Sequence, residues 1–164
     1  MSIEGDRRAA RQLASRTDQM GRIFGREPWR EILLRISGGR LGRRTGPTIP
    51  LQLQTPWQDT LSPLRTGWRQ RAADLHGESV FAIDYQVCRP CSLAWAEEPH
   101  TDPSFQRCGP ASAGVAALRA EHPGLAWHTL GGRFAKARPF RTHVGTGVPG
   151  GYQSRRLCGH ATAF

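Results

Sequence analysis

Four cysteines and one histidine are the residues of this chain whose types and spacing most directly suggest chemistry. Cys88-x-x-Cys91 falls in a stretch that reads as a hairpin turn, and Cys158-x-His160 lies near the C-terminus. Two thiolates at that spacing point at one ion, and a second Cys/His pair completes the four ligands of a structural zinc. Cys88, Cys91, Cys158 and His160 are therefore the expected metal ligands. Reduced, unrelated thiols are the alternative. A redox use of Cys88 and Cys91 fits less well, because such pairs work at a helix N-terminus that lowers a thiol pKa, whereas Pro90 and flanking strands argue for a hairpin.

A second run with chemical potential is Asp102-Pro103-Ser104-Phe105-Gln106-Arg107-Cys108-Gly109-Pro110-Ala111. It separates a strand-like segment, Leu93 to Glu98, from a small-residue helical segment that starts at Ala111. The first turn of a helix has unpaired N–H groups and the positive end of the dipole, so such a junction is suited to phosphate. Gly109 allows the backbone to approach an anion, while Gln106 and Arg107 add polar and charged contacts. Cys108 belongs to this loop and is a poor metal ligand.

The elements that would position these groups can be read along the chain. Residues 6–20 predict a basic helix with Ala9, Ala10, Leu13 and Met20 on one side, and residues 28–37 predict another, opened by Pro28 and stopped by Gly38-Gly39. A Gly/Arg loop follows over 40–47, and Ile49, Leu51 and Leu53 alternate as a short edge strand. Ser62-Pro63 predicts a helix start, with Leu64, Trp68, Ala72 and Leu75 along its buried stripe. Ser79 to Val87 and Leu93 to Glu98 then predict two strands of a hairpin. A helix from Ala111 to about His122 leads to a strand over Leu125 to Leu130, expected parallel to Leu93–Glu98. A helix near Ala137 to Val144 and a last strand within Gly150 to Leu157 complete the reading.

Composition bounds the setting. The 164 residues suffice for one domain with a real core. The first thirty hold no apolar run that would suit a secretory signal, and no stretch approaches the roughly 20 apolar residues of a membrane span. A cytoplasmic protein without a membrane partner is expected. The formal charge is +10, concentrated before residue 76. Only Lys136 is lysine, so the excess is almost all arginine, as GC-rich coding produces. No nucleic-acid partner is expected on that ground.

The spacing aromatic-Gln-x-x-Gly-x-Ala in Phe105, Gln106, Gly109 and Ala111, preceded by Pro103, resembles the pyrophosphate loop of the GNAT acetyltransferase superfamily. Ala137-Arg-Pro-Phe140-Arg141-Thr-His-Val-Gly145 is similar to that family's Ala-x-x-aromatic-Tyr-x-x-x-Gly segment. The match covers residues 78–157. It implies an α/β fold, a GNAT-like mixed sheet flanked by helices, with 1–47 as a basic helical N-terminal segment and 48–164 as the GNAT-like domain. The family relation further implies acetyl-CoA as cofactor, held by Gln106, Arg107, Cys108, Gly109 and Ala111, and an amine acceptor. Glu97 at the strand end would take a proton from the amine, and His128 on the next strand would shuttle it; a solvated acidic pair and a packed histidine are the plainer readings. The final strand would run antiparallel to Leu125–Leu130, bringing Cys158 to the edge where Leu93 starts.

Two positions depart from the family pattern. Pro110 lacks an N–H in the loop, and Arg141 stands where the family places a tyrosine that protonates the leaving thiolate, a task a guanidinium cannot do. Two functions thus stay open: an acetyl-CoA-dependent N-acyltransferase, or a non-catalytic binding module on the same scaffold, zinc-stabilised and contacting a polyanion or protein partner. The sequence does not reveal the acceptor or the oligomeric state.

Overall fold

The structure is a computed structural model, and it describes residues 3–22, 37, 55–131 and 137–162. The helix expected over 28–37 (Ser37 aside), the loop over 40–47 and the edge strand over 49–53 lie outside the described residues. The described chain forms α1 (Ile3–Ala14), β1 (Met20–Arg22), β2 (Trp57–Leu61), β3 (Arg69–Leu75), β4 (Glu78–Cys88) and β5 (Leu93–Thr101). A 3-10 turn (Pro103–Phe105), α2 (Pro110–Glu121), β6 (Ala126–Thr129), α3 (Arg138–Gly145) and β7 (Gln153–Ser154) follow.

The seven strands form one mixed sheet in sequential order. β2 to β5 are antiparallel neighbours, whereas β1 pairs with β2, β6 with β5 and β7 with β6 in parallel. Because side chains alternate across a strand, β5 sends Ala94 and Ala96 to one face and Leu93 and Trp95 to the other. The first face packs with Ala10 and Leu13 of α1 and Val115 and Leu118 of α2. The second packs with Trp68, Cys88 and Ala161 of the C-terminal segment. Trp57 ties α1 to the sheet by donating its indole N–H to the Leu13 carbonyl at 2.9 Å. Among the described residues no helix is long and apolar enough to cross a membrane.

Three expectations are corrected. The first helix ends at Ala14, and Met20 joins β1. No helix forms over 62–75: Ser62 to Trp68 is a turn region and Arg69–Leu75 is a strand. The helical spacing of Trp68, Ala72 and Leu75 was coincidental; the buried alternation is Arg71 and Ala73, and an arginine inside a strand does not look like a core residue. The final strand is parallel to β6, and only two residues long, since α3 carries the chain back across the sheet before β7 begins.

Arg71 is buried because its charge is matched on both sides. It faces Asp59 across the β2–β3 ladder and donates to Oδ2 at 2.6 Å, and it donates to both carboxylate oxygens of Glu121 at 3.2 and 2.7 Å. Arg69 and the Tyr85 hydroxyl also donate to Asp59, and Arg22 reaches Glu121 at 3.0 Å. Burial pushes the Asp59 carboxyl up, but these hydrogen bonds and cations outweigh it and leave the pKa below its usual value; the same balance, led by Arg71, lowers Glu121. The network fixes the C-terminal end of α2 on the sheet. Midway, Gly114 lets the helix lie against Trp57 and Phe81: a Cβ there would come within 2.7 Å of Phe81 and 2.8 Å of Trp57.

Gly114→Ala should therefore destabilise by about 1–3 kcal/mol through overpacking, and Arg71→Ala by about 3–5 kcal/mol by stranding two acids, both read by urea denaturation. Lowered folded-state carboxyl pKa values give stabilisation that is complete above the unfolded values and lost as pH falls through the folded ones. Wild-type stability should drop below about pH 4, and Asp59→Asn should flatten that drop; an unchanged acid limb would contradict it.

Candidate functional site

β5 is nine residues long, yet β6 pairs only with Leu93 to Trp95. Beyond that point no described strand pairs with the outer edge of β5, and a cleft of about 1090 Å³ is lined on this strand by Pro99, His100 and Thr101. The opposite wall is the start of α2. Asp102 accepts from the Ser104 N–H at 2.8 Å and caps the 3-10 turn, which leads through Gln106 and Arg107 to Gly109. Gly109 has φ +100°, a left-handed conformation that glycine adopts without strain, and it serves as the N-cap of α2. No side chain caps this helix, and its first internal bond runs from Ala113 N–H to the Gly109 carbonyl. The N–H groups of Ala111 and Ser112 precede that bond at the cleft wall. Arg7 of α1 donates to the Ser104 and Gln106 carbonyls at 3.4 and 3.5 Å, holding the loop from behind.

Of the loop residues expected to hold a cofactor, Gln106, Arg107, Gly109 and Ala111 line the cleft. Cys108 does not: it is buried among the core residues beneath the loop. Phe140 of α3 lines the far wall, while the neighbouring Arg141 does not. Neither Glu97 nor His128 lines the cleft. Glu97 is 1% exposed, and its Oε1 accepts from the Thr129 hydroxyl and the Leu130 N–H, so it stitches β5 to β6 beyond their last paired residues. His128 is buried opposite Trp95 in the ladder, and burial holds its pKa below the usual imidazole value.

Asp84 is the residue that sequence reasoning missed. It is 2% exposed and lines the cleft from β4, next to a register break between Ala82 and Asp84 in the β4–β5 pairing. The Ser62 hydroxyl donates to its Oδ2 at 2.8 Å and the Gln70 side-chain amide to its Oδ1 at 3.1 Å. The alternation of β4 was visible in the sequence, but Ser62 and Gln70 were assigned to a helix, which hid their convergence on this carboxylate.

At the other end of β5, Cys88, Cys91, Cys158 and His160 come together with their ligand atoms within 4.8 Å of one another. The structure brings the four expected residues together, but not by the expected route. β7 ends beside Thr129, at the far edge from Leu93, so the segment after it must turn back over the second face of the sheet. Two hydrogen bonds mark the path: the Trp95 indole donates to the Arg155 carbonyl at 3.0 Å and the Gln86 amide to the Ala161 carbonyl at 3.0 Å. Hydrogen bonds that the Cys91 thiol donates to Cys158 and Cys88 push its pKa up to about 11. Burial raises the Cys158 thiol, but hydrogen bonds from Cys88, the Ala161 backbone and Cys91 leave it lowered. Three sulfurs sharing protons in so small a volume, with an imidazole nitrogen 3.3 Å from Cys91 Sγ, form a donor set that can hold one metal ion.

No family model, curated protein or solved structure matches the chain. Protein prepared without chelator should carry about one transition-metal ion per chain by elemental analysis. Cys158→Ser and Cys88→Ser should each lose it and lower the melting temperature, and Cys108→Ser should retain it. Metal-free wild type would remove the site.

Proposed function

We propose that the chain is an acetyl-CoA-dependent N-acyltransferase whose cofactor lies in the cleft at the start of α2. The observation that carries the reading is the glycine-led N-terminus of α2, without a side-chain cap, opening onto a cleft large enough for an extended ligand. The pyrophosphate would meet the N–H groups of Ala111 and Ser112 and the side chains of Gln106 and Arg107. Pro110 forfeits no intrahelical bond, because the first helical position has no partner to donate to. Beyond Trp95 no described strand pairs with the outer edge of β5, and in this reading a backbone N–H of that stretch would polarise the thioester carbonyl. The chemistry is attack of an amine on that carbonyl with release of coenzyme A.

In the same reading the metal is zinc and its role is structural. The cluster sits at the Leu93 end of β5 and the cleft at the Thr101 end, roughly 25 Å apart at the rise of a strand. Zinc there fastens the C-terminal segment over Trp95, and a cytoplasmic setting keeps its thiols reduced. A second reading, a non-catalytic module that binds coenzyme A without turnover, is favoured by Arg141 at the family's tyrosine position and by the burial of Glu97.

Isothermal titration with coenzyme A and acetyl-CoA tests the proposal. Wild type should bind both. Gly109→Val should abolish binding, since it places a branched side chain at φ +100°, with Ala14 Cβ 3.4 Å from the new Cβ. Arg107→Ala should cost only about tenfold or less, because one exposed charge is screened. Thermal melts of both variants separate lost binding from lost folding. No affinity of the wild type at millimolar coenzyme A would refute the reading, and binding without thiol release over an amine panel would favour the non-catalytic module.

A further inference from the structure

The Cys/His cluster is fixed on one side and open on the other. Cys88 closes β4, faces Leu93 across the β4–β5 ladder and is 5% exposed, packed with Trp68 and Trp95 in the second core. Cys91 and Cys158 are only half-buried, and both lie outside the strands, one in the β4–β5 turn and one in the C-terminal segment. His160 beside them is exposed. We infer that Cys91 and Cys158 form a peroxide-sensitive modification site, in which hydrogen peroxide joins the two sulfurs as a disulfide and the cluster gives up its metal ion. The inference rests on the metal reading for the ion that leaves, and it is independent of the acyltransferase reading.

A peroxide-reactive pair needs a thiolate, access from solvent and a second sulfur to resolve the first oxidation product. A sulfur that coordinates a metal is a thiolate, the nucleophilic form. Access separates the half-buried Cys91 and Cys158 from the buried Cys88. The resolving sulfur is at hand, because all ligand atoms lie within 4.8 Å of one another and the Cys91 thiol hydrogen-bonds Cys158. A disulfide brings its sulfurs to about 2 Å, and no strand ladder holds either residue back. Cys91 lies in the turn closed by the Ser92 N–H on the Arg89 carbonyl at 3.0 Å, and the Cys158 carbonyl accepts from Ala161 and Thr162 at 2.9 and 3.1 Å. In the reaction one thiolate attacks the peroxide: an S–O bond forms, the O–O bond breaks and hydroxide leaves. The second thiolate then attacks the sulfenic sulfur, so that the S–S bond forms, the S–O bond breaks and a second hydroxide leaves. The two sulfurs lose two electrons and the peroxide gains them. Cys88 and His160 remain, two donors where a closed structural site uses four. The new bond joins the β4–β5 turn to the C-terminal segment, so that segment stays over Trp95, whose indole N–H binds the Arg155 carbonyl.

The test treats the full chain, purified without chelator, with hydrogen peroxide, reading ion release with a chromogenic chelator and disulfides by peptide mass mapping. Release and the Cys91–Cys158 bond should rise together, about one ion per bond, and dithiothreitol with added zinc should reverse both. Cys108→Ser should behave as wild type, since that thiol lies in the other core. Cys88→Ser and His160→Ala keep both reacting sulfurs and should still form the bond. The oxidised protein should melt above Cys158→Ser, which has neither the ion nor the bond. An ion retained at peroxide concentrations that fully oxidise glutathione would overturn the inference. So would a main disulfide between Cys88 and Cys91, or release accompanied by sulfinic acids and no disulfide. Protein that carries no ion as purified would remove the metal reading alone if peroxide still joined Cys91 to Cys158, and both readings if it did not.

Discussion

β5 can pair with β6 only over Leu93 to Trp95, and most of what is distinctive in the molecule depends on how the rest of β5 is accommodated. A strand edge with no partner must be covered, paired or used. Here Glu97 bridges to Thr129 and Leu130, holding the chain after β6 to β5 beyond the last paired residue. The carboxylate is buried because it satisfies these groups. Moving it toward the cleft would leave a buried hydroxyl and a part-buried N–H without this acceptor.

The direction of α2 follows from three fixed points. Its C-terminal end is tied through Glu121 to Arg71 and Arg22, its middle lies on Trp57 and Phe81 through Gly114, and its approach loop is held by Arg7. A helix so constrained aims its N-terminus at one place, and that place is the cleft. The arginine content of the chain acquires a partial explanation as well. Arg22, Arg69 and Arg71 are spent on internal acids, and so contribute little to a field that would draw in a polyanion.

What was legible in the sequence was local chemistry with strong spacing. The Cys-x-x-Cys turn, the small-residue helix after Gly109 and the hairpin of β4 and β5 each carry their own signal, and each is where the spacing puts it. What was not legible depended on partners distant in the chain. Arg71 becomes a core residue only beside Asp59 and Glu121, so its strand resembled a helix until those charges were placed. Asp84 becomes a cleft residue only once Ser62 and Gln70 converge on it. The four residues of the Cys/His cluster could be picked out by residue type, but the return of residues 155–162 across the sheet could not, because it is set by hydrogen bonds from Trp95 and Gln86 rather than by a strand ladder.

The central claim is that the cleft at the start of α2 receives coenzyme A by its pyrophosphate. Mapping backbone amide shifts during a titration with coenzyme A tests it most directly, because the N–H groups that would donate are themselves the probes. The account predicts the largest shifts at Ala111 and Ser112, with smaller ones at Gln106, Arg107 and Phe140, and none at Cys158 or His160. Shifts confined to the exposed arginines of α1, or saturating nowhere along the start of α2, would contradict it.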